Sequence, residues 1–479
     1  MKKRVQRLAD GMESGGLVEF AENPGDARAM HLLLTEASRA TYHNALEREW
    51  QWTNAIAEDY VSKKAINLMP HPTPAEQFDP SNPRFTADRF TLLTQMREEA
   101  PVTFLPALDV YAVTRWQEVH DVLGDAVTFA SSEAFSAGVH LAPEALAIYS
   151  VTSPIFAYNP INVDKPLHTR LRDPLMAAFS PKRTQSLAPT VIADVEDLLD
   201  SIAASGSQTD LLLTLCKPLP LRTICRLLGV PLADAEKLSG WSNALVTFQT
   251  PGLPIEVQVV AAQGLRALEN YIREMVAQKA ATPDDGLISA LVAGRAAGEN
   301  DLSEDELVAD IAIVFFAGHE TTINTIANAF HSLLNQRDQW EAVVSGTVDT
   351  ENLIDELLRH DTSVMGLYRR ATVDTVIGGV PVPQGATLWV CYAAANRDPA
   401  QFDAPETLQC QRGKARQHLT FSYGAHYCVG SLLARLQLRE AVTRAAKRFP
   451  EMHLAPGVVV PEIPNHATRG PITLPVLLK

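Results

Sequence analysis

The stretch that most restricts what this chain can become begins at residue 303. Ser303-Glu-Asp-Glu306 is a capping box: the serine hydroxyl takes a free backbone N–H, and the glutamate reaches back to the cap. The residues behind it are apolar over many turns, so the helix they predict, from about Glu304 to Asn335, has its middle in the interior. Its strongest apolar run is Ile311-Ala-Ile-Val-Phe-Phe-Ala-Gly318, bounded by Asp310 before it and by His319 and Glu320 after it. That run is far short of the roughly 20 residues that span a bilayer. The middle of the helix also breaks its own rules. Gly318, His319, Glu320, Thr321 and Thr322 stand together, although Gly and Thr are poor helix formers and a buried Glu is costly without a partner. One reading is a satisfied polar turn, or a kink where Thr321 bonds back to a carbonyl. The other is a local opening of the helix that lines a site, with an acid and an alcohol placed to relay protons. Five such residues in succession favour the second.

A chain of 479 residues that is 46% hydrophobic can bury a large core, which excludes wholesale disorder. Its net charge of −15, with no Lys/Arg-rich block, argues against nucleic-acid binding through bulk charge. The five cysteines, at 216, 225, 391, 410 and 428, contain no CxxC pair, so neither a disulfide framework nor a structural zinc site is expected. The basic start, Met1-Lys-Lys-Arg-Val-Gln-Arg, is followed by no apolar stretch of signal-peptide length. A cytoplasmic protein that does not enter the membrane is the expectation.

Residues 1 to about 69 are poor in proline and read as helix. Leu46, Trp50, Thr53, Ala57, Val61 and Leu68 recur at helical spacing, and Trp50 and Trp52 favour some buried contact. Pro70-His-Pro-Thr-Pro74 then biases the chain toward an extended linker. The expected organisation is therefore an N-terminal helical extension with its Pro-rich linker over 1–75 and one large domain over 76–479. In that domain long helical patterns alternate with a few short strands. Tyr111-Ala-Val-Thr and Thr387-Leu-Trp-Val-Cys-Tyr read as strands, and residues 376–386 as a hairpin punctuated by Gly and Pro. The fold class is mainly α with small β-sheets.

Two further motifs carry chemistry. Glu356-Leu-Leu-Arg359 places opposite charges three apart on one helical face, a pattern that is more often a solvated surface pair. The most specific segment is Phe421-Ser-Tyr-Gly424-Ala-His426-Tyr-Cys428-Val-Gly430, which leads into an amphipathic helix over 431–449. Two glycines bracket the cysteine, so the loop can turn tightly and aim backbone N–H groups at the sulfur. A cysteine entering a helix N-terminus feels the positive end of the dipole, which favours thiolate. The bland alternative is a buried small hydrophobe, and the other four cysteines fit it.

The pattern F-x-x-G-x-H-x-C-x-G resembles the haem-binding loop of the cytochrome P450 family, and the supporting motifs follow in the family's order. Ala317-Gly-His-Glu-Thr-Thr322 resembles its oxygen-activation segment and Glu356-Leu-Leu-Arg359 its ExxR pair. Ala394-Ala-Asn-Arg-Asp-Pro399 resembles a stretch of its soluble bacterial members, and His168-Thr-Arg-Leu-Arg172 the helix that clamps haem propionates. The resemblance runs from about residue 78 to the C-terminus.

It implies a cytochrome P450 fold, a single large helical haem domain holding haem b with O2 as co-substrate. Cys428 would be the thiolate on iron, with Phe421 shielding the sulfur and His426 beside a propionate. His168, Arg172, Arg369 and His418 would be the propionate clamp. Glu320 and Thr321 would deliver protons to dioxygen. Glu356, Arg359 and Arg412 would form a buried structural cluster. Phe315, Val364, Met365 and Leu367, with Phe316, would face a small, largely apolar substrate. Relatives often carry proline where this chain has Ser363, which bears on the path of residues 364–367. The activity implied is monooxygenation in bacterial secondary metabolism or catabolism. Desaturation, coupling and rearrangement, or a haem sensor or scaffold, are the alternatives. Electrons would come from NAD(P)H through a separate ferredoxin or flavodoxin-type partner docking on Arg412, Lys414 and Arg416. The N-terminal extension would serve as a lid, an oligomerisation element or a docking arm for a pathway partner.

Overall fold

The computed structural model describes residues 18–22, 30–34, 73–80, 82, 84–132, 141–150, 152–247 and 253–479. The chain divides into two units, Met1–Pro72 and Thr73–Lys479. In the first, strands β1 (Val18–Glu22) and β2 (Met30–Leu34) pair antiparallel with Val18 opposite Leu34. The expectation of helix is corrected for these ten residues. Val18, Phe20 and the Leu32–Leu34 run suit a pleated strand, and Asn23-Pro24-Gly25-Asp26 between them are turn formers. The helical stripe expected over residues 46–68 lies outside the described residues.

The second unit is dominated by helices. Those that frame the site are α1 (Leu167–Ala178), α2 (Pro218–Leu228), α3 (Glu304–Asn335), α4 (Thr350–His360) and α5 (Ser431–Arg448). The capping box at Ser303 and Glu306 is formed as the sequence predicts. Nearly every residue of α3 from Glu306 to Leu334 is buried, and the largest apolar cluster is built around it. Beside the helices lies a five-stranded sheet of β3 (Val102–Leu105), β4 (Val110–Val113), β5 (Phe129–Ala130), β7 (Leu367–Ala371) and β10 (Thr387–Val390), in the order β3-β4-β10-β7-β5. β4 and β10 run parallel, and the other neighbours are antiparallel. β6 (Gln208–Asp210), β11 (His453–Leu454) and β12 (Pro475–Leu477) make a small sheet, and β8 (Thr375–Ile377) with β9 (Val380–Val382) the predicted hairpin.

One buried charge cluster ties the start of the second unit to residues far along it. The guanidinium groups of Arg89, Arg397 and Arg469 lie 5.9, 4.0 and 5.2 Å from the centre of the Phe90 ring. Arg89 pairs with Glu462, Arg469 with Asp361 at 2.6 Å and Glu462 at 2.8 Å, and Arg397 with Glu406 at 2.6 Å. Three cations share one ring face region because each has an acid of its own, without which burial would be prohibitive.

Candidate active site

The cysteine loop is shaped by two left-handed residues, Ser422 (φ 64°) and Gly424 (φ 72°). Any side chain at 424 would be strained by that φ, and its Cβ would sit 2.6 Å from the Leu123 carbonyl oxygen. The Cys428 N–H donates to the Phe421 carbonyl at 2.9 Å and closes the loop. Burial pushes the Cys428 thiol up, and the backbone N–H groups of Gly430 and Ser431, together with Arg172, pull it back down. These N–H groups, at the start of α5, would hold an anionic sulfur once a metal cation offsets the burial. The other four cysteines are fully buried, and burial pushes the thiols of Cys225, Cys391 and Cys410 up to about 12 and that of Cys216 higher still.

Three nitrogen-bearing side chains, His168, Arg172 and Arg369, gather around His426, two residues before the cysteine. The rings of His168 and His426 are 4.2 Å apart. Burial, then Arg369, His168 and Arg172, drive the His426 pKa down to about 2. Burial and Arg172 also lower that of His168, whose Nε2 is buried with no partner. Arg172 donates to the Tyr427 carbonyl and Arg369 to that of Tyr368. Among the described residues no acid pairs with either arginine. Two arginines without an acid, beside a buried imidazole nitrogen that has no partner, are incomplete without an anion. The two carboxylates of a haem fit that deficit, and the Cys428 sulfur fits its iron.

The support behind the loop is fully satisfied. Glu356 and Arg359 have no exposed surface, and Arg359 donates to both carboxylate oxygens at 2.7 and 2.8 Å. Arg412 Nε lies 3.0 Å from both oxygens and the Gln409 N–H donates at 2.8 Å. The two guanidinium groups also collect the carbonyls of Asn396, Asp403, Ala404, Pro405 and Thr407, so one carboxylate organises the whole segment ahead of the loop. Asn396 adds a role the sequence reading lacked. Its Oδ1 accepts from the Leu419 N–H at 2.7 Å and its Nδ2 donates to Thr420 Oγ1 at 2.9 Å, pinning the loop's entrance. The signal for it in the sequence is the Ala394–Pro399 motif itself.

On the opposite wall, α3 passes its motif without opening, which corrects that expectation. Thr321 Oγ1 donates to the Ala317 carbonyl at 2.9 Å and Thr322 Oγ1 to that of Gly318 at 3.3 Å, so the threonines satisfy themselves inside an intact helix. The region lines space all the same. Between Glu306 and Leu334, among a run of buried neighbours, only Ala317, Gly318, Glu320, Thr321 and His331 are partly exposed, and the first four are clustered. Burial raises the Glu320 pKa against the pull of Asn324, whose Nδ2 donates to Oε1 at 3.3 Å, and of Lys217. His319 points into protein: Nδ1 is 2.7 Å from the Phe315 carbonyl, Nε2 has no partner, and burial holds its pKa down at about 4. Gly318 permits a close crossing, since a Cβ there would lie 2.5 Å from Ile224 Cδ1 on α2.

Several expected positions fall elsewhere. His418 does not join the Arg/His cluster. It lies 3.5 Å from Asp355 and 3.3 Å from Arg435, which itself pairs with Asp355 and sits 5.2 Å over the Phe421 ring. Phe315 is 2% exposed and faces Leu228, Val230 and Ile311 on the far side of α3. Met365 is fully buried among Phe78, Met96 and Trp389. The apolar character of both reflects core packing, whereas Val364 and Leu367 are partly exposed. Arg412 is buried on Glu356 and cannot belong to a docking patch, which leaves Lys414 and Arg416 exposed nearby.

The family described as "Cytochrome P450" matches residues 241–344 and 350–476. Cytochrome P450 107B1 of Saccharopolyspora erythraea is 34% identical over 377 residues, covering 78% of this chain and 90% of that one. The 6-deoxyerythronolide B hydroxylase of the same organism is 31% identical over 373 residues, covering 77% and 91%. Among solved structures, cytochrome P450 CREJ in complex with (4-ethylphenyl) dihydrogen phosphate superimposes with a TM-score of 0.77 at 29% identity, over 85% of this chain and 98% of the other.

Proposed function

This chain belongs to the cytochrome P450 family, an oxidoreductase of the monooxygenase type that uses haem and O2, and on that premise we propose how its residues divide the work and what it acts on. Haem, once bound through Cys428, supplies the dioxygen chemistry, and an anionic sulfur on iron favours O–O cleavage. The observation that carries the reading is the unbalanced cluster of His168, Arg172, Arg369 and His426 beside a cysteine whose sulfur already faces two backbone N–H groups.

In this scheme Phe421, 8% exposed, screens the sulfur from water. Glu356, Arg359 and Arg412 hold the segment that holds the loop. Burial shifts Glu320 toward its neutral form, and in this scheme it passes a proton to the Thr321 hydroxyl. Thr321 Oγ1 spends its hydrogen on the Ala317 carbonyl here, so it serves first as acceptor and donates after rotating. Val364 and Leu367, with Ala317, form the wall that meets substrate, which favours a small, largely apolar organic molecule. The proposed reaction is insertion of one oxygen atom into that molecule. Electrons reach the haem from NAD(P)H through a ferredoxin or flavodoxin-type partner that meets the exposed Lys414 and Arg416. Among the described residues no helix is long and apolar enough to cross a membrane.

The test is the carbon-monoxide difference spectrum of the reduced protein. The thiolate signature is expected and should vanish in Cys428→Ala; its absence from the unaltered protein would sink the assignment. Thr321→Ala is expected to bind haem normally but to divert reducing equivalents to hydrogen peroxide, and unchanged coupling would remove Thr321 from the proton path.

A further inference from the structure

Two struts connect the acid–alcohol turn of α3 with the segment that carries Val364. The first is a chain of hydroxyls. Thr325 Oγ1 donates to the Thr321 carbonyl at 2.8 Å and lies 2.8 Å from Ser363 Oγ. A hydroxyl has one hydrogen, so with that of Thr325 committed to the carbonyl, Ser363 is the donor in the second bond. Both residues are buried, at 8% and 3% exposure. The second strut runs from Glu320 through Asn324 Nδ2 to Gly470, where an added Cβ would meet Asn324 Oδ1 at 2.2 Å. Both struts end on one unit. The Arg469 N–H donates to the Ser363 carbonyl at 2.8 Å, the Met365 N–H to that of Ala467 at 2.8 Å, and Val364 pairs with Thr468. Further along α3, Asn328 donates to the carbonyls of Asp361 and Arg469, and Ser332 to the Asp361 carboxylate. The polar ridge of α3 is thus fastened along its length to residues 361–365, and Ser363 is the fastening nearest Thr321. A proline at 363 would have no hydroxyl to give.

We propose that the Ser363–Thr325 hydroxyl pair positions the acid–alcohol turn against the substrate-facing wall, so that one contact sets both the alignment of Glu320 and Thr321 and the seat of Val364. This rests on the proton-path reading above and adds two positioning residues that touch neither substrate nor haem. Losing the Thr325 hydroxyl leaves the Ser363 hydroxyl without its acceptor and the Thr321 carbonyl with its helical N–H alone, while losing the Ser363 hydroxyl cuts the tie between Thr325 and residue 363; in both cases the turn shifts relative to the wall.

The experiment compares Ser363→Ala, Thr325→Val, their double variant and the hydroxyl-keeping Ser363→Thr, with Thr321→Ala as control. Carbon monoxide is the probe: the C–O stretching band of the reduced complex reports the surroundings of the distal pocket without turnover. Hydrogen peroxide formed per NADPH consumed, with a surrogate ferredoxin and reductase, is the second readout. Each single variant should shift and broaden the band and raise the peroxide share several-fold, the double should match the worse single, and Ser363→Thr should retain the original band. An unchanged band, or single effects that simply add, overturns the positioning role. If Thr321→Ala leaves peroxide unaltered, the proton-path reading fails instead. If Ser363→Ala does not hold haem, Thr325→Ser against Thr325→Val decides, and equal bands in that pair refute the proposal.

Discussion

α3 crosses α2 closely at Gly318, and Gly318→Ala measures how tightly the crossing is set. The new Cβ would lie 2.5 Å from Ile224 Cδ1 and 3.1 Å from its Cγ1. Ile224 is 1% exposed, so its side chain cannot swing into solvent to make room. Overpacking of this kind costs about 1–3 kcal/mol, and replacing glycine in a helix returns about 1 kcal/mol. The single variant should therefore lose about 0–2 kcal/mol. Ile224→Val removes the Cδ1 that clashes and alone costs about 0.5–1.5 kcal/mol. Together the clash is relieved while the helix gain remains, so the double variant should be more stable than the two singles predict by about 1–3 kcal/mol. Guanidinium unfolding of all four proteins, with the Soret band as a second probe of the haem pocket, measures that coupling. Additivity within about 0.5 kcal/mol would mean that Ile224 does not limit position 318, and that the crossing has slack this geometry denies.

Other perturbations test the remaining parts. Glu356→Ala strands two buried guanidinium groups and should cost about 3–5 kcal/mol, giving protein with little haem. Glu356→Gln should fail almost as badly, and a fully loaded, equally stable Glu356→Ala would refute the support role. His466, which lies 2.5 Å from the Tyr368 hydroxyl and 5.9 Å from the Trp389 ring, has its pKa lowered by burial to about 4. Because the folded value lies below that of the unfolded chain, this group's contribution is complete above pH 6.5 or so and drains away toward pH 4, up to about 3 kcal/mol. His466→Gln should flatten the fall of melting temperature over that range, and an identical profile would show that His466 is not the group that titrates. Lys414→Glu with Arg416→Glu should slow electron transfer from an acidic partner and weaken its dependence on salt, as read by stopped-flow reduction; no change in either would place docking elsewhere.

What was legible in the sequence was what depends on spacing along one element. The capping box fixed the start of α3, and the bracketing glycines pointed to the sulfur of Cys428. What was not legible depends on which side of an element meets what. Phe315 and Phe316 are adjacent in an all-apolar run, and periodicity cannot say which faces a cavity when both faces are buried. Met365 lies in a strand-like segment between the partly exposed Val364 and Leu367 yet points into the core. Arg412 reads both as a member of the Glu356 cluster, which the resemblance implies, and as one of three docking cations; the fold, which brings Glu356 to it from 56 residues away, leaves only the first. The threonines of α3 suggested an opened helix because hydroxyls compete with the backbone, but here each returns its hydrogen to its own helix and the ladder survives. Ser363 was legible only as a departure, since its meaning lies in Thr325 on another element.

The cluster around Phe90 also bears on how the protein is made. Arg89 waits for Glu462, a partner 373 residues downstream, and β6 at Gln208–Asp210 finds its neighbour only in Pro475–Leu477. On a ribosome delivering about 5–20 residues per second, the first of these groups spends tens of seconds without its counterion. During that interval Arg89 and the edge of β6 stay hydrated or exposed to other chains. Closure of the fold therefore comes late: Glu462 neutralises a charge laid down 373 residues earlier. A nascent chain stalled before residue 462 would hold the complete cysteine loop without this closure, a ready client for chaperones.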